Sequence, residues 1–265
     1  MRFLKSQLRY GWNLAICDRG LILFDMFGAT TFAFITQFML WRYAYDGSED
    51  VIRGFTLENL LFYYAFVIGL GRLNNGYEVI EGISYRIING SIEPELVKPV
   101  SYAKKKFFEF LGSGLPYLPL VLLPAFIYWG FERYEQPLSL LALYAVFPFI
   151  LILTQLVCFQ IAFTISLLTA KTEKVESILN AYSMVAALFG GVMLPPQFWP
   201  ESFQPVMEWN PFAIIMAQVS KFIVEANPMS ALNLLLFLLF WACIGGIACK
   251  FSWLKFTSQY KGVGG

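Results

Sequence analysis

The groups able to do chemistry in this chain are a few acids, amides and phenols set among long apolar runs. Asp25, Glu58 and Glu109 stand at or near the ends of such runs. A carboxylate at membrane depth is costly and points to function, whereas one at headgroup depth is solvated. Gln155 and Gln160 lie inside an uncharged run, where an amide needs a partner, either cargo or a neighbouring helix. The neighbouring helix is the favoured reading. Phe62, Tyr63, Tyr64 and Phe66 crowd another run with rings, which line a path for cargo or, more commonly, pack helices together. Tyr63, Phe66, Gln155 and Gln160 are the candidate cargo path. The chain has no histidine, which excludes histidine metal ligands and histidine acid–base catalysis. Cys17, Cys158, Cys243 and Cys249 show no Cys-x-x-Cys pairing, and three of them sit in apolar runs, so no structural disulfide is expected. There is no Gly-x-x-x-x-Gly-Lys-[Ser/Thr] loop to cradle ATP phosphates. No catalytic residue, metal ligand or cofactor is assigned.

The elements that must position these groups follow from composition. Hydrophobic residues make up 58% of the 265 and charged residues 14%, against about 25% charged in soluble domains. The mean hydropathy is +0.60. A water-soluble fold of this size has no surface for so much apolar area. The net charge of +1 gives no electrostatic reason for a nucleic-acid partner.

A membrane-spanning helix needs about 20 apolar residues. Candidate spans are residues 21–41, 57–73, 107–131, 138–169, 177–194 and 231–249. The third carries Pro116, Pro119 and Pro124. The fourth exceeds a bilayer core and must tilt or project from it. None alternates as barrel strands do. The expected fold is therefore an all-α integral membrane protein of six spans, one domain over residues 1–265. Ahead of the first span, Leu4, Leu8, Trp12, Ala15 and Ile16 recur at near-helical spacing, with Arg2, Lys5 and Arg9 off that stripe. This predicts an amphipathic interfacial helix within residues 1–20. Arg9 and Asp18 interrupt the run, unlike a secretory signal peptide.

Lysine and arginine set the orientation. With the amino terminus inside, Arg2, Lys5, Arg9, Arg19, Arg72, Arg86, Lys98, Lys104, Lys105, Lys106, Lys171, Lys174, Lys250, Lys255 and Lys261 fall on the inner side. Arg42, Arg53, Arg133 and Lys221 fall outside, beside acids that include Asp46, Glu49 and Asp50. Both termini are expected in the cytosol. A cysteine at Ser48 should then be open to an impermeant thiol reagent and one at Ser91 protected.

Two stretches between spans carry a resemblance. Residues 88–101 read Ile-Asn-Gly-Ser-Ile-Glu-Pro-Glu-Leu-Val-Lys-Pro-Val-Ser. Gly90, Ile92, Leu96, Val97, Lys98, Pro99, Val100 and Ser101 match the loop between the second and third spans of permeases in the ABC-2 class of ATP-driven exporters, with Glu93 where aspartate is usual. Residues 190–228 are broken by Pro195, Pro196, Pro200, Pro205 and Pro211, which forbid one continuous helix. Gly191, Leu194, Pro195, Asn210 and Pro211 follow the order of the glycine, Leu-Pro turn and Asn-Pro of the same permeases. After Pro211, Phe212, Ile215, Met216, Val219, Phe222 and Ile223 form an apolar stripe, with Lys221 and Glu225 off it. The chain thus resembles the "ABC-2 family transporter" branch.

The resemblance implies a permease without its own ATPase. Two copies of a separate ATPase subunit, binding ATP and magnesium, and a second permease half would complete an exporter in the inner (cytoplasmic) membrane. The expected cargo is an amphipathic small molecule or a lipid-like or antibiotic compound. Residues 81–106 would be the cytosolic coupling loop, with a helix over 81–96 stopped by Pro94 and Pro99. Its apolar residues, among them Ile83, Ile87, Ile88 and Ile92, would be anchors in an ATPase cleft, with the charges setting register. Lys104, Lys105 and Lys106 would meet anionic lipid. The ATPase-coupling set is Tyr85, Arg86, Ile87, Ile88, Gly90, Ile92, Glu93, Leu96, Lys98 and Pro99. Residues 195–228 would be an outer re-entrant helix–turn–helix, with Gly191, Leu194, Pro195, Phe198, Trp199, Trp209, Asn210 and Pro211 as its gate. A polysaccharide or glycolipid exporter is the nearest alternative. A stand-alone channel or ion-coupled carrier belongs to another class, and no inverted repeat supports it.

Overall fold

The computed structural model describes residues 2–45, 51–132, 135–172 and 174–260, and these are helical with no strand beyond an isolated Ile52–Phe55 bridge. Asp46, Ser48, Glu49, Asp50, Arg133 and Lys261 of the topology argument lie outside the described residues. The order is α1 (Arg2–Ala15), α2 (Arg19–Leu23), a π-helical turn (Phe24–Ala29), α3 (Thr30–Ala44), α4 (Leu57–Leu73), α5 (Gly76–Ile88), α6 (Glu93–Leu96) and α7 (Tyr102–Gly114). A 3-10 turn at Leu115–Tyr117, forced by Pro116, leads into α8 (Leu118–Glu132). Then come α9 (Pro137–Ser166), α10 (Thr169–Thr172), α11 (Val175–Phe189), a 3-10 turn (Pro196–Phe198), α12 (Gln204–Trp209), α13 (Pro211–Ile215), α14 (Ala217–Glu225) and α15 (Pro228–Gln259).

Local chemistry explains many of the boundaries. The side chains of Asp18, Thr56, Ser101, Asn210 and Asn227 accept backbone N–H bonds at the starts of α2, α4, α7, α13 and α15. Four stretches are long and apolar enough to cross a membrane: Arg19–Ala44, Tyr102–Glu132, Pro137–Thr172 and Pro228–Gln259. The last extends past its expected end at residue 249, because no helix breaker intervenes. The other two expected spans are shorter. α4 has the expected bounds and 17 residues, or about 25 Å. α11 has 15, and stops before its expected end at 194 because Gly190 and the left-handed Gly191 follow.

α4 is the centre of the packing. Leu60, Tyr63, Tyr64, Phe66, Val67, Leu70 and Leu73 are all buried, and α14, α3 and α8 cover them. α9 lies between α15 and α5. The interfacial helix expected over residues 1–20 ends at Ala15 and packs on α7. The two cross at Gly11 and Gly112, where a Cβ would overlap the carbonyl oxygens of Glu109 and Leu8 respectively.

Candidate functional site

The site begins where α4 ends. Asn74 and Asn75 break the helix, and α5 restarts at Gly76. Four other elements hold this joint. From α9, Gln155 donates Nε2 to the Leu73 carbonyl at 3.3 Å, and the Cys158 thiol donates to the Asn74 carbonyl at 3.2 Å. From α11, the Tyr182 hydroxyl lies 3.9 Å from the Cys158 sulfur. It fills the space where a Cβ on Gly76 would stand. From α13, the Ile215 carbonyl accepts a long 3.4 Å bond from Asn74 Nδ2. α7 makes room, since a Cβ on Gly114 would overlap the Gln155 amide. The Asn74 Oδ1 is buried with no hydrogen-bond partner among the described residues.

An ion pair ties this end of α4 to the π-helical turn. Arg72 meets Asp25 at 2.5 Å, and the Tyr117 hydroxyl donates to the other Asp25 oxygen at 3.0 Å. Asn75 donates to Glu78 at 2.9 Å. Burial pushes the Glu78 carboxyl above its ordinary value, the Asp25 and Glu81 carboxylates push the same way, and the Asn75 bond only partly offsets them. Arg72, Asn74 and Asn75 thus close the end of α4 through bonds within the chain. Glu58 is exposed in the first turn of α4, and Glu109 pairs with Lys106 at 2.7 Å.

Beyond the joint, the predicted coupling residues divide into two sets. Ile83, Ile87 and Ile92 are buried in the chain's own core, which corrects their expected role as outward anchors. Ile88 and Leu96 are half-buried. The helix expected over 81–96 instead runs over α5 and stops at the left-handed Gly90. There Gly90 N–H donates to the Ile87 carbonyl and Ile92 N–H to the Arg86 carbonyl. Pro94 therefore opens α6 rather than ending α5. The outward apolar residues are Val97, 85% exposed, with Tyr85 and Val100. Glu93, Lys98 and Pro99 are exposed beside them, and Arg86 is half-buried. Tyr85 donates its hydroxyl to Glu176 of α11 at 2.8 Å. Glu95 accepts from Lys98 at 2.7 Å and from Lys105 at 2.8 Å. Partial burial acts to raise the Glu95 carboxyl, but the hydrogen bonds and charges of Lys105 and Lys98 outweigh it and hold it below its ordinary value.

The stretch over residues 190–228 is tightly packed. Tyr63 donates to the Gly191 carbonyl at 3.0 Å and Tyr64 to the Met193 carbonyl at 3.3 Å. Tyr63 and Phe66 are thus buried struts of α4, and no cargo surface is left on them. Leu194 and Trp199 are half-buried and Pro195 is buried. The Phe198 ring sits edge-on to Trp41 at 4.9 Å. Asn210 caps α13 through its Oδ1 and donates Nδ2 to the Phe189 and Met207 carbonyls, with Pro211 in the first turn. Trp209 is exposed and edges Phe237 at 4.5 Å. In α13 and α14 the expected stripe is buried at Ile215, Met216, Val219, Phe222 and Ile223, while Phe212 is half-buried. Gln160 is buried against Gly245 of α15, and its Oε1 has no partner among the described residues.

Sequence reasoning missed Cys158, Tyr182 and Gly76. A cysteine in an apolar run passes for a small hydrophobic residue, and a lone tyrosine in an apolar helix carries no spacing signal. The Asp25–Arg72 pair was legible in principle, as opposite charges each standing at the end of an apolar run.

A helical chain with four stretches able to cross a bilayer and a jointed helix at one end is a polytopic membrane protein. A family profile described as ABC-2 family transporter protein matches residues 31–264. The chain belongs to that family, whose permeases are the membrane components of ABC transporters and associate with a separate ABC ATPase. No curated protein matches the chain.

Proposed function

We propose that this chain is the permease half of an exporter that moves an amphipathic, lipid-like or antibiotic-like molecule out across the inner membrane by alternating access. Six helices would cross: the four long stretches together with α4 and α11. The two short ones would be accommodated by local bilayer thinning or flanking residues. Both termini and residues 81–106 would face the cytosol, as the lysine and arginine split requires. Two ATPase copies, carrying ATP and magnesium, and a second permease half would complete the machine.

The observation that carries this reading is the jointed continuity of α5 with α4. A displacement of α5 reaches the buried centre through one break, held by the Gln155 and Cys158 bonds and one long amide bond, beside an Asn74 oxygen with no partner among the described residues. Such a joint can take two arrangements. The surface receiving the ATPase is the outward set Tyr85, Val97, Lys98 and Val100, because exposed apolar side chains on a polar loop call for a cover. Val97→Asp should abolish stimulated ATPase activity and export while leaving the chain inserted. Ile87→Asp should instead reduce the amount of folded chain. Normal export by Val97→Asp would overturn the assignment. A cysteine at Ser91 should resist an impermeant thiol reagent in intact cells and one at Ser202 should react, in a background without reactive native thiols.

A further inference from the structure

A cavity of about 740 Å³ lies between the end of α5, the α9–α10 corner and the last turns of α15. That is within the ~300–1,000 Å³ of small-molecule sites. It plays no part in the joint. Its floor is apolar, with Leu167 and Phe256 buried and Ile88 half-buried. Its rim carries Lys171 and Lys255, both exposed, and neither forms an ion pair among the described residues. Ser252 and Gln259 add hydrogen-bond donors. No acid among the described residues lines it; Glu93 stands behind Tyr260, whose hydroxyl reaches it at 3.5 Å. Next to Lys255 at helical spacing, Ile247, Phe251 and Leu254 on the flank of α15 are exposed.

We infer that this cavity binds an anionic phospholipid, its phosphate between Lys171 and Lys255 and its acyl chains along Phe256 and the α15 flank. Two cations over an apolar floor match a head with one negative charge and a hydrocarbon tail. A protein loop filling the cavity would leave the α15 flank uncovered, whereas lipid chains cover both. Lysine stems can lie along the apolar wall while their ammonium groups reach the phosphate. The site takes its leaflet from the proposed topology, but binding does not depend on that.

The test uses the full chain, purified with the subunits that accompany it, in nanodiscs of phosphatidylcholine with or without phosphatidylglycerol. Native mass spectrometry then counts retained lipid. The wild type should retain phosphatidylglycerol at least tenfold over phosphatidylcholine, with one molecule fewer on K171Q/K255Q. K171R/K255R should keep it, which separates charge from misfolding. Equal retention by wild type and K171Q/K255Q, or equal retention of the two lipids, would overturn the site. The readout is lipid and not transport, so its failure is distinct from failure of the permease reading.

Discussion

Two breaks in this chain are built alike and held differently. At the one that the proposed topology places outside, between α11 and the 3-10 turn, the Tyr63 hydroxyl occupies the place of a Cβ on Gly191. At the inner one, between α4 and α5, the Tyr182 hydroxyl occupies the place of a Cβ on Gly76. The outer glycine is left-handed, and its carbonyl and that of Met193 each accept a phenolic bond from α4. The inner tyrosine faces a thiol at 3.9 Å, a weak partner. The outer break is therefore locked to α4 and travels with it. In the proposed transport cycle, α5 swings at the inner break.

The sharpest way to break this comparison is to put a side chain on each glycine. Gly191→Val meets both a left-handed backbone and the buried Tyr63, and should cost on the order of 3 kcal/mol or more. A thermal unfolding midpoint close to wild type would contradict the locked outer break. Gly76→Val has an ordinary backbone but meets the buried Tyr182 hydroxyl and ring and the Cys158 sulfur, so it costs packing without the added backbone strain of Gly191→Val. It should insert and assemble, yet lower export roughly tenfold while ATP hydrolysis continues, as hinge substitutions do. Export and hydrolysis falling together would mean the inner joint is only structural.

A smaller effect separates the hydroxyls. Tyr63→Phe leaves the Gly191 carbonyl short of a bond and should cost about 1–3 kcal/mol. Tyr182→Phe loses only a thiol contact and should cost below about 1 kcal/mol. Equal losses in paired denaturation curves would erase the distinction.

The smallest effect is electrostatic and confined to the inner side. Glu78 is raised, so its contribution is most favourable when protonated and is lost as pH rises through its folded value. Glu95 is lowered, so its tether is present above its unfolded value and is lost only as pH falls through the lower folded one. Moving from pH 7 to about 5, still above the ordinary glutamate range, should raise the hydrogen-exchange protection factors, with rates normalised to intrinsic exchange at each pH, in the first turn of α5. It should leave residues 93–98 unchanged. Glu78→Gln should raise the unfolding midpoint by ~1–2 °C at pH 7, and a lowered midpoint would reverse the sign of the argument.

Apolar run length and proline placement made the helical membrane class legible. Gly90, Ile92 and the run from Leu96 to Ser101, with the Asn210-Pro211 turn, pointed to the family. Run length located α4 well because Thr56 and Asn74 flank it. It overran α11, where two glycines ended the helix inside an apolar run. Alternating charge around Ile83, Ile87 and Ile92 looked like an outward face, yet the same pattern serves a helix whose apolar side turns inward. Only packing against neighbouring helices decides between the two. The joint was illegible because its bonds run between helices far apart in sequence, from Leu73 to Gln155 and from Asn74 to Cys158.

The central claim is that the drive enters at the inner turn beside α6 and nowhere on the outer segment. A photo-crosslinking amino acid at Val97, compared with one at the outer Val206, which is also exposed, tests this directly in the assembled complex. The account predicts a covalent adduct with a P-loop ATPase subunit from position 97 and none from 206. An adduct from 206, or an intact complex with no adduct from 97, would contradict it.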